Sequence, residues 1–154
     1  MKFILDNMLG KSAKYLRMLG YDTIYPPPED DKATLKLAQE ENRIVITRSK
    51  KLYNKASKEL RIVLVKSNCF GNKFREIIKK LDIKLNKDRL FSRCLLCNTP
   101  VEKVEKSAIK DRLPAKVKKH FDNYRNCPDC SKIYWEGGHT ERMLNRVKQL
   151  FREN

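Results

Sequence analysis

Two C-x-x-C pairs narrow the folds open to this chain more than any other part of its sequence. Cys94-Leu95-Leu96-Cys97 and Cys127-Pro128-Asp129-Cys130 frame the intervening residues 98–126. Each pair can form a tight knuckle whose two thiolates point at one ion, and two knuckles complete a tetrahedron. The insertion is longer than in the shortest zinc modules, but closure entropy grows only slowly with loop length. A thiol switch and chance burial are the rival readings, and two matched pairs rarely arise by either route. With all four positions filled by protein, no open site is left for substrate. A zinc ion held there folds the segment and does no catalysis. The fifth cysteine, Cys69, reads as a small buried or half-buried residue. His120 and His139 are possible ligands that four thiolates make unnecessary.

Ahead of the cysteines the pattern changes. Phe3–Leu5, Thr23–Tyr25, Arg43–Ile46 and Ile62–Val65 are strand-like in their β-branched and apolar content. Between them, apolar residues recur at helical spacing: Leu9, Ala13, Leu16 and Leu19, then Leu35 and Ala38, and later Phe74, Ile77, Ile78 and Leu81. Gly20 is placed to cap the first helix. Strands joined by helices imply parallel pairing under right-handed crossovers, hence a small parallel sheet covered by helices. The alternation stops near residues 84–90. The expected division is an α/β domain over 1–87 and a zinc ribbon over 88–154, closed by an amphipathic helix over Glu141–Phe151.

Charge points to the partner. Lys and Arg number 35 against 19 Asp and Glu, a formal charge of +16. Such an excess repels itself in a compact state unless a polyanion relieves it, and a nucleic acid is the natural candidate. Both halves of the chain are basic, so no single tail explains the excess. The opening apolar run, Phe3-Ile4-Leu5, is too short for a secretory signal, and no stretch approaches the roughly eighteen apolar residues of a membrane span. A cytoplasmic location without membrane association is therefore expected.

In parallel α/β sheets, ligands gather outside the carboxyl ends of the strands. Asp6 follows the first strand directly, and a charge there is costly to bury without a partner or metal. Asp22 begins the second strand and otherwise reads as a solvated turn residue. Asp30 and Asp31 follow Pro26-Pro27-Pro28 at the start of a helix, where either is also an ordinary N-cap. Carboxylates converging at that edge could hold Mg²⁺ or Mn²⁺ and activate water for phosphodiester cleavage.

The runs from Lys2 to Gly10, Tyr15 to Thr23 and Arg43 to Arg48 resemble the Mut-seven C-terminal ribonuclease domain family. Arg93 to Asn98, and Cys127 to Cys130 continuing through Tyr134-Trp135-Glu136-Gly137-Gly138-His139, resemble that family's appended zinc ribbon. The resemblance covers nearly the whole chain. It implies a PIN-like fold, an RNA substrate and, in intact members, a carboxylate-bound metal, with Asp6 the first metal-binding acid and Asp31 the second. The family usually places an Asp directly after Thr-Arg at the end of the third strand. Ser49 stands there in this chain, followed by Lys50 and Lys51, and related PIN-like sequences often carry another acid where Lys51 lies.

Losing a carboxylate weakens an ion site, and ammonium groups beside it repel the ion while offering Asp6 and Asp31 counter-charges. The stretch Arg43–Arg61 carries Arg43, Arg48, Lys50, Lys51, Lys55, Lys58 and Arg61 against the single acid Glu59. Such a surface favours holding phosphates over cutting them. The reading is thus an RNA-binding protein of nuclease shape with an incomplete cutting centre. Its RNA contacts are Arg43, Arg48, Lys50, Lys51, Lys55 and Lys58, with Trp135 available to stack on an unpaired base or to pack the ribbon's small core. Folded RNA is the expected partner, ribosomal RNA or a ribosomal particle among the candidates. The alternative is an active metal-dependent endoribonuclease in which Ser49 holds a water-mediated contact and Asp22 or Asp30 replaces the missing acid.

Overall fold

The computed structural model describes residues 1–56 and 58–152. Four short strands, β1 (Lys2–Leu5), β2 (Asp22–Ile24), β3 (Arg43–Thr47) and β4 (Ile62–Leu64), form one parallel sheet in the order β2-β1-β3-β4. Each expected strand lies within a residue or two of these bounds. Because side chains alternate across a strand, β1 and β3 supply both faces of the sheet. Phe3, Leu5, Ile44 and Ile46 enter one cluster, and Ile4 and Val45 the other. A sheet buried on both faces needs apolar residues at every position. Phe3-Ile4-Leu5 and Ile44-Val45-Ile46 meet that demand.

Helices α1 (Gly10–Met18) and α4 (Phe70–Leu81) cover the first face through Ala13, Leu16, Phe74, Ile77 and Ile78. Helices α2 (Asp31–Glu40) and α3 (Lys50–Lys55) cover the second through Ala38 and Leu52. Gly20 ends α1 as expected: its φ of +82° is in the left-handed region, and a Cβ there would meet the Arg89 carbonyl oxygen at 2.5 Å. Helix α3 carries no apolar period in the sequence, since only Leu52 of its six residues is buried.

Past residue 90 a second, antiparallel sheet appears in the order β5-β6-β7: β5 (Glu102–Val104), β6 (Tyr124–Asn126) and β7 (Ile133–Trp135). Helices α5 (Lys106–Ile109) and α6 (Ala115–His120) fill the insertion between the cysteine pairs, and Ile109, Leu113, Tyr124 and Ile133 form its own core. The closing helix α7 (Gly138–Arg152) turns back on the first module, with Met143, Val147 and Leu150 buried in the same cluster as Phe3 and Phe74. Packing crosses the change of pattern at residues 84–90, since α7 shares the first module's core cluster. Among the described residues no helix is long and apolar enough to cross a membrane.

Candidate functional site

The two cysteine pairs come together. Cys94, Cys97, Cys127 and Cys130 place their sulfurs within 4.8 Å of one another, with Cys94–Cys130 at 3.5 Å and Cys97–Cys127 at 3.3 Å. Tetrahedral thiolates about 2.3 Å from one metal lie roughly 3.8 Å apart, so the donor set fits a metal ion. The backbone explains the convergence. Each pair closes on its own first residue, the amides of Asn98 and Ser131 donating to the carbonyls of Cys94 and Cys127, and both Asn98 and Ser131 adopt positive φ. Asn tolerates that conformation, so Asn98 is the local signal beyond the cysteines of the first pair, whereas Ser131 offers none. Neither His120 nor His139 joins the cluster.

Crowded thiols cannot all ionise without a cation among them. Burial pushes the Cys97 thiol up, but its hydrogen bonds to Thr99 and to neighbouring sulfurs bring it down to about 6. The Lys132 amide lowers Cys130, yet burial and three neighbouring thiols outweigh it and push that thiol up to about 12. The Tyr134 hydroxyl contacts the Cys94 sulfur at 3.0 Å and accepts from the Leu95 amide at 3.1 Å. That aromatic is therefore built into the cysteine centre. Trp135 packs partly buried against the ribbon core and borders a groove of about 1090 Å³ beside Lys103, Arg125 and the start of α7.

At the carboxyl edge of the parallel sheet, Asp6 caps the short 3₁₀ turn Asn7–Leu9. Its Oδ1 accepts from the Met8 amide at 2.9 Å, and its Oδ2 accepts from the Thr47 hydroxyl at 2.8 Å and from the Arg48 amide. Asp31, in the first turn of α2, is ion-paired to Lys55 Nζ at 2.8 Å. Asp30 is the N-cap of α2, its Oδ2 accepting from the Ala33 amide. Ser49 is the N-cap of α3, its hydroxyl accepting from the Leu52 amide at 3.1 Å. Among the described residues, the four cysteines are the one set of three or more metal-ligating side chains close enough to share an ion.

The expected phosphate-contacting cations divide. Lys50, Lys51, Lys55 and Lys58 are exposed on α3 and just beyond it. Arg48 is half-buried and donates to the Asn68 side chain at 2.7 Å, bridging the loops that follow β3 and β4. Arg43 differs from expectation: it is 7% exposed at the amino end of β3, paired with Asp22 and Glu41 at 2.6 Å each. A side chain that enters a strand at its amino end cannot reach the carboxyl edge.

Asp22 also departs from its reading as a solvated turn. Its carboxylate accepts from Arg43 and from the Asn98 amide group at 2.9 Å, with Arg93 at 3.7 Å. Burial raises its pKa, but those bonds and the two arginine charges outweigh burial and hold it below the usual carboxylate range. Asp22 pairs in register with Lys2, so it lies about 13 Å along the strand direction from Asp6. Asp22 therefore cannot replace a missing acid beside Asp6; it clamps the knuckle to the sheet. Cys69 is corrected as well, being exposed at the N-cap of α4 rather than buried.

Sequence reasoning missed two residues. Arg17, in the last turn of α1, is buried and hydrogen-bonded to both modules. Burial lowers its guanidinium pKa, while the Cys94 and Cys97 sulfurs act in the opposite direction. Glu76 of α4 fixes the loop after β4 by accepting from the amides of Lys66 and Ser67, the Ser67 hydroxyl and Lys80. Both sit on helical faces that carry other charged residues, which hides them from a periodicity count.

A family model described as the Mut7-C RNAse domain matches residues 1–147. No curated protein and no solved structure matches the chain.

Proposed function

Because the chain belongs to the Mut7-C RNAse domain family, we propose that it binds structured RNA with the carboxyl edge of its PIN-like sheet and has lost the cutting centre. The observation that carries this reading is the ion pair between Asp31 and Lys55 at 2.8 Å. A carboxylate required by a divalent ion is here matched with an ammonium group from the chain itself. Ser49 supplies a hydroxyl to the helix end where a third carboxylate would add negative charge, and Lys50 and Lys51 add positive charge instead. Added positive charge at an edge that lacks the third carboxylate favours phosphate and disfavours Mg²⁺ or Mn²⁺.

The four cysteines, in the same reading, hold one structural zinc ion. Thiolate-only sets select zinc or iron–sulfur chemistry, and two short knuckles closing a tetrahedron suit a single zinc. The ion would fold the ribbon rather than act on RNA, since no ligand position is left open.

A second reading, a metal-dependent endoribonuclease, is favoured by Asp6 alone. Three donors from β1's own turn and the end of β3 hold its carboxylate at the edge where such an ion would sit. Labelled structured and single-stranded RNA incubated with the protein and Mn²⁺ separates the two. The expected result is intact RNA recovered in complex, with cleavage appearing only in a Ser49→Asp, Lys51→Asp double variant. Metal-dependent cleavage by the wild type that Asp6→Asn abolishes would establish the nuclease instead.

A further inference from the structure

Arg17 is 4% exposed. A guanidinium taken out of water at that depth ordinarily meets a carboxylate. None of the ion pairs formed by the described residues includes Arg17; its hydrogen bonds end on main-chain carbonyls. Nε donates to Thr23 at 3.0 Å and Nη2 to Tyr25 at 3.0 Å, while Nη1 donates to Leu96 at 2.6 Å and Leu95 at 3.3 Å. The carboxylate of Asp22 lies nearby but is taken up by Arg43, Arg93 and Asn98. Carbonyl dipoles solvate a cation without neutralising it.

Two of the four carbonyls belong to the residues between Cys94 and Cys97, so the cation is clasped inside the first knuckle. Four thiolates around a divalent ion leave a net charge of about −2 that no ligand of the site offsets. We propose that Arg17 is the counter-cation of the metal-loaded cysteine centre, and that loading the ribbon thereby fastens β2 and its exit into the proline loop. The other two carbonyls, Thr23 and Tyr25, are on β2 and directly ahead of Pro26-Pro27-Pro28, which leads to Asp30 and Asp31. Arg17 is thus a positioning residue. It binds neither metal nor RNA, and couples the state of the ribbon to one wall of the RNA-facing edge.

The inference rests on the reading of the cysteines as a zinc site, and the test keeps the two apart. Zn²⁺ affinity is measured by competition with a chromophoric chelator for wild type, Arg17→Met and Arg17→Lys, alongside amide exchange over residues 22–31. Arg17→Met is expected to weaken Zn²⁺ binding about 10- to 100-fold, as loss of an outer-shell partner does. Arg17→Lys keeps the charge but not the four bonds, so it should recover most of the affinity while amides 23–25 remain fast-exchanging. Equal loss of affinity in both variants would reduce Arg17 to a packing role and overturn the proposal. If Arg17→Met does not fold, wild type decides: Zn²⁺ uptake should slow exchange at residues 22–25, and unchanged exchange overturns the coupling. Wild-type protein that takes up no Zn²⁺ would remove the metal assignment itself and the proposal with it.

Discussion

Glu76 accepts hydrogen bonds from two amides, a hydroxyl and an ammonium group, and Asp6 from two amides and a hydroxyl, so both carboxylates fix the chain segments around them. Burial raises the Glu76 pKa, but its bonds to Lys80, Ser67 and Lys66 prevail and hold it at about 2 against an ordinary 4.5. A folded-state pKa below the unfolded one adds stability that is complete above about pH 4.5 and disappears as pH falls toward 2. The shift corresponds to at most ~3 kcal/mol. Glu76→Gln should therefore cost ~2–3 kcal/mol in urea unfolding at pH 7, with the two proteins converging in stability near pH 2; a constant difference across that range would assign the loss to packing. Asp6 is readable as a candidate from chain position, whereas Ser49, and Asp31 over Asp30, stand out only through the family resemblance. The present partners of Asp6 and Asp31 are not readable, because Thr47 reaches Asp6 only once β3 pairs with β1, and Lys55 reaches Asp31 only once α3 comes beside the start of α2.

In the proposed reading, helix α3 adds Lys50 and Lys51 to a carboxyl edge that otherwise carries Asp6, Asp30 and Asp31. Its cap, Ser49, does the structural work that an Asp would also do, so the helix forms either way while the charge at its start changes. Neutralising Lys50 and Lys51 to Gln should reduce the slope of log affinity against log salt by roughly 0.7–0.9 for each phosphate that the variant no longer neutralises. An unchanged slope in filter binding would place the RNA elsewhere. The sheet strands are readable because β1 and β3 are apolar along nearly their whole length. Helix α3 and the ribbon strands β5, β6 and β7 are not, since six- and three-residue elements with at most one buried residue each carry too short a pattern. The knuckles stand out because their signal is chemical rather than periodic.

Across the whole molecule, the largest of the three core clusters spans both modules. Helix α7 starts in the ribbon and buries Met143, Val147 and Leu150 against α4 and the sheet, while Asn98 and Arg17 tie the first knuckle to β2. The sequence marks where the pattern changes, but contacts this distant along the chain leave no local trace in it. Leu150→Ala should cost about 2–5 kcal/mol and lower a single cooperative transition for the entire chain; two separate transitions, with the α/β part unaffected, would show that the modules fold independently. What remains decisive is whether the carboxyl edge keeps a divalent ion at all. Titration of the protein with Mn²⁺, following the free ion by its paramagnetic resonance signal, is expected to show no saturable uptake that depends on Asp6. One ion bound by the wild type and lost in Asp6→Asn would contradict an edge built to hold phosphate.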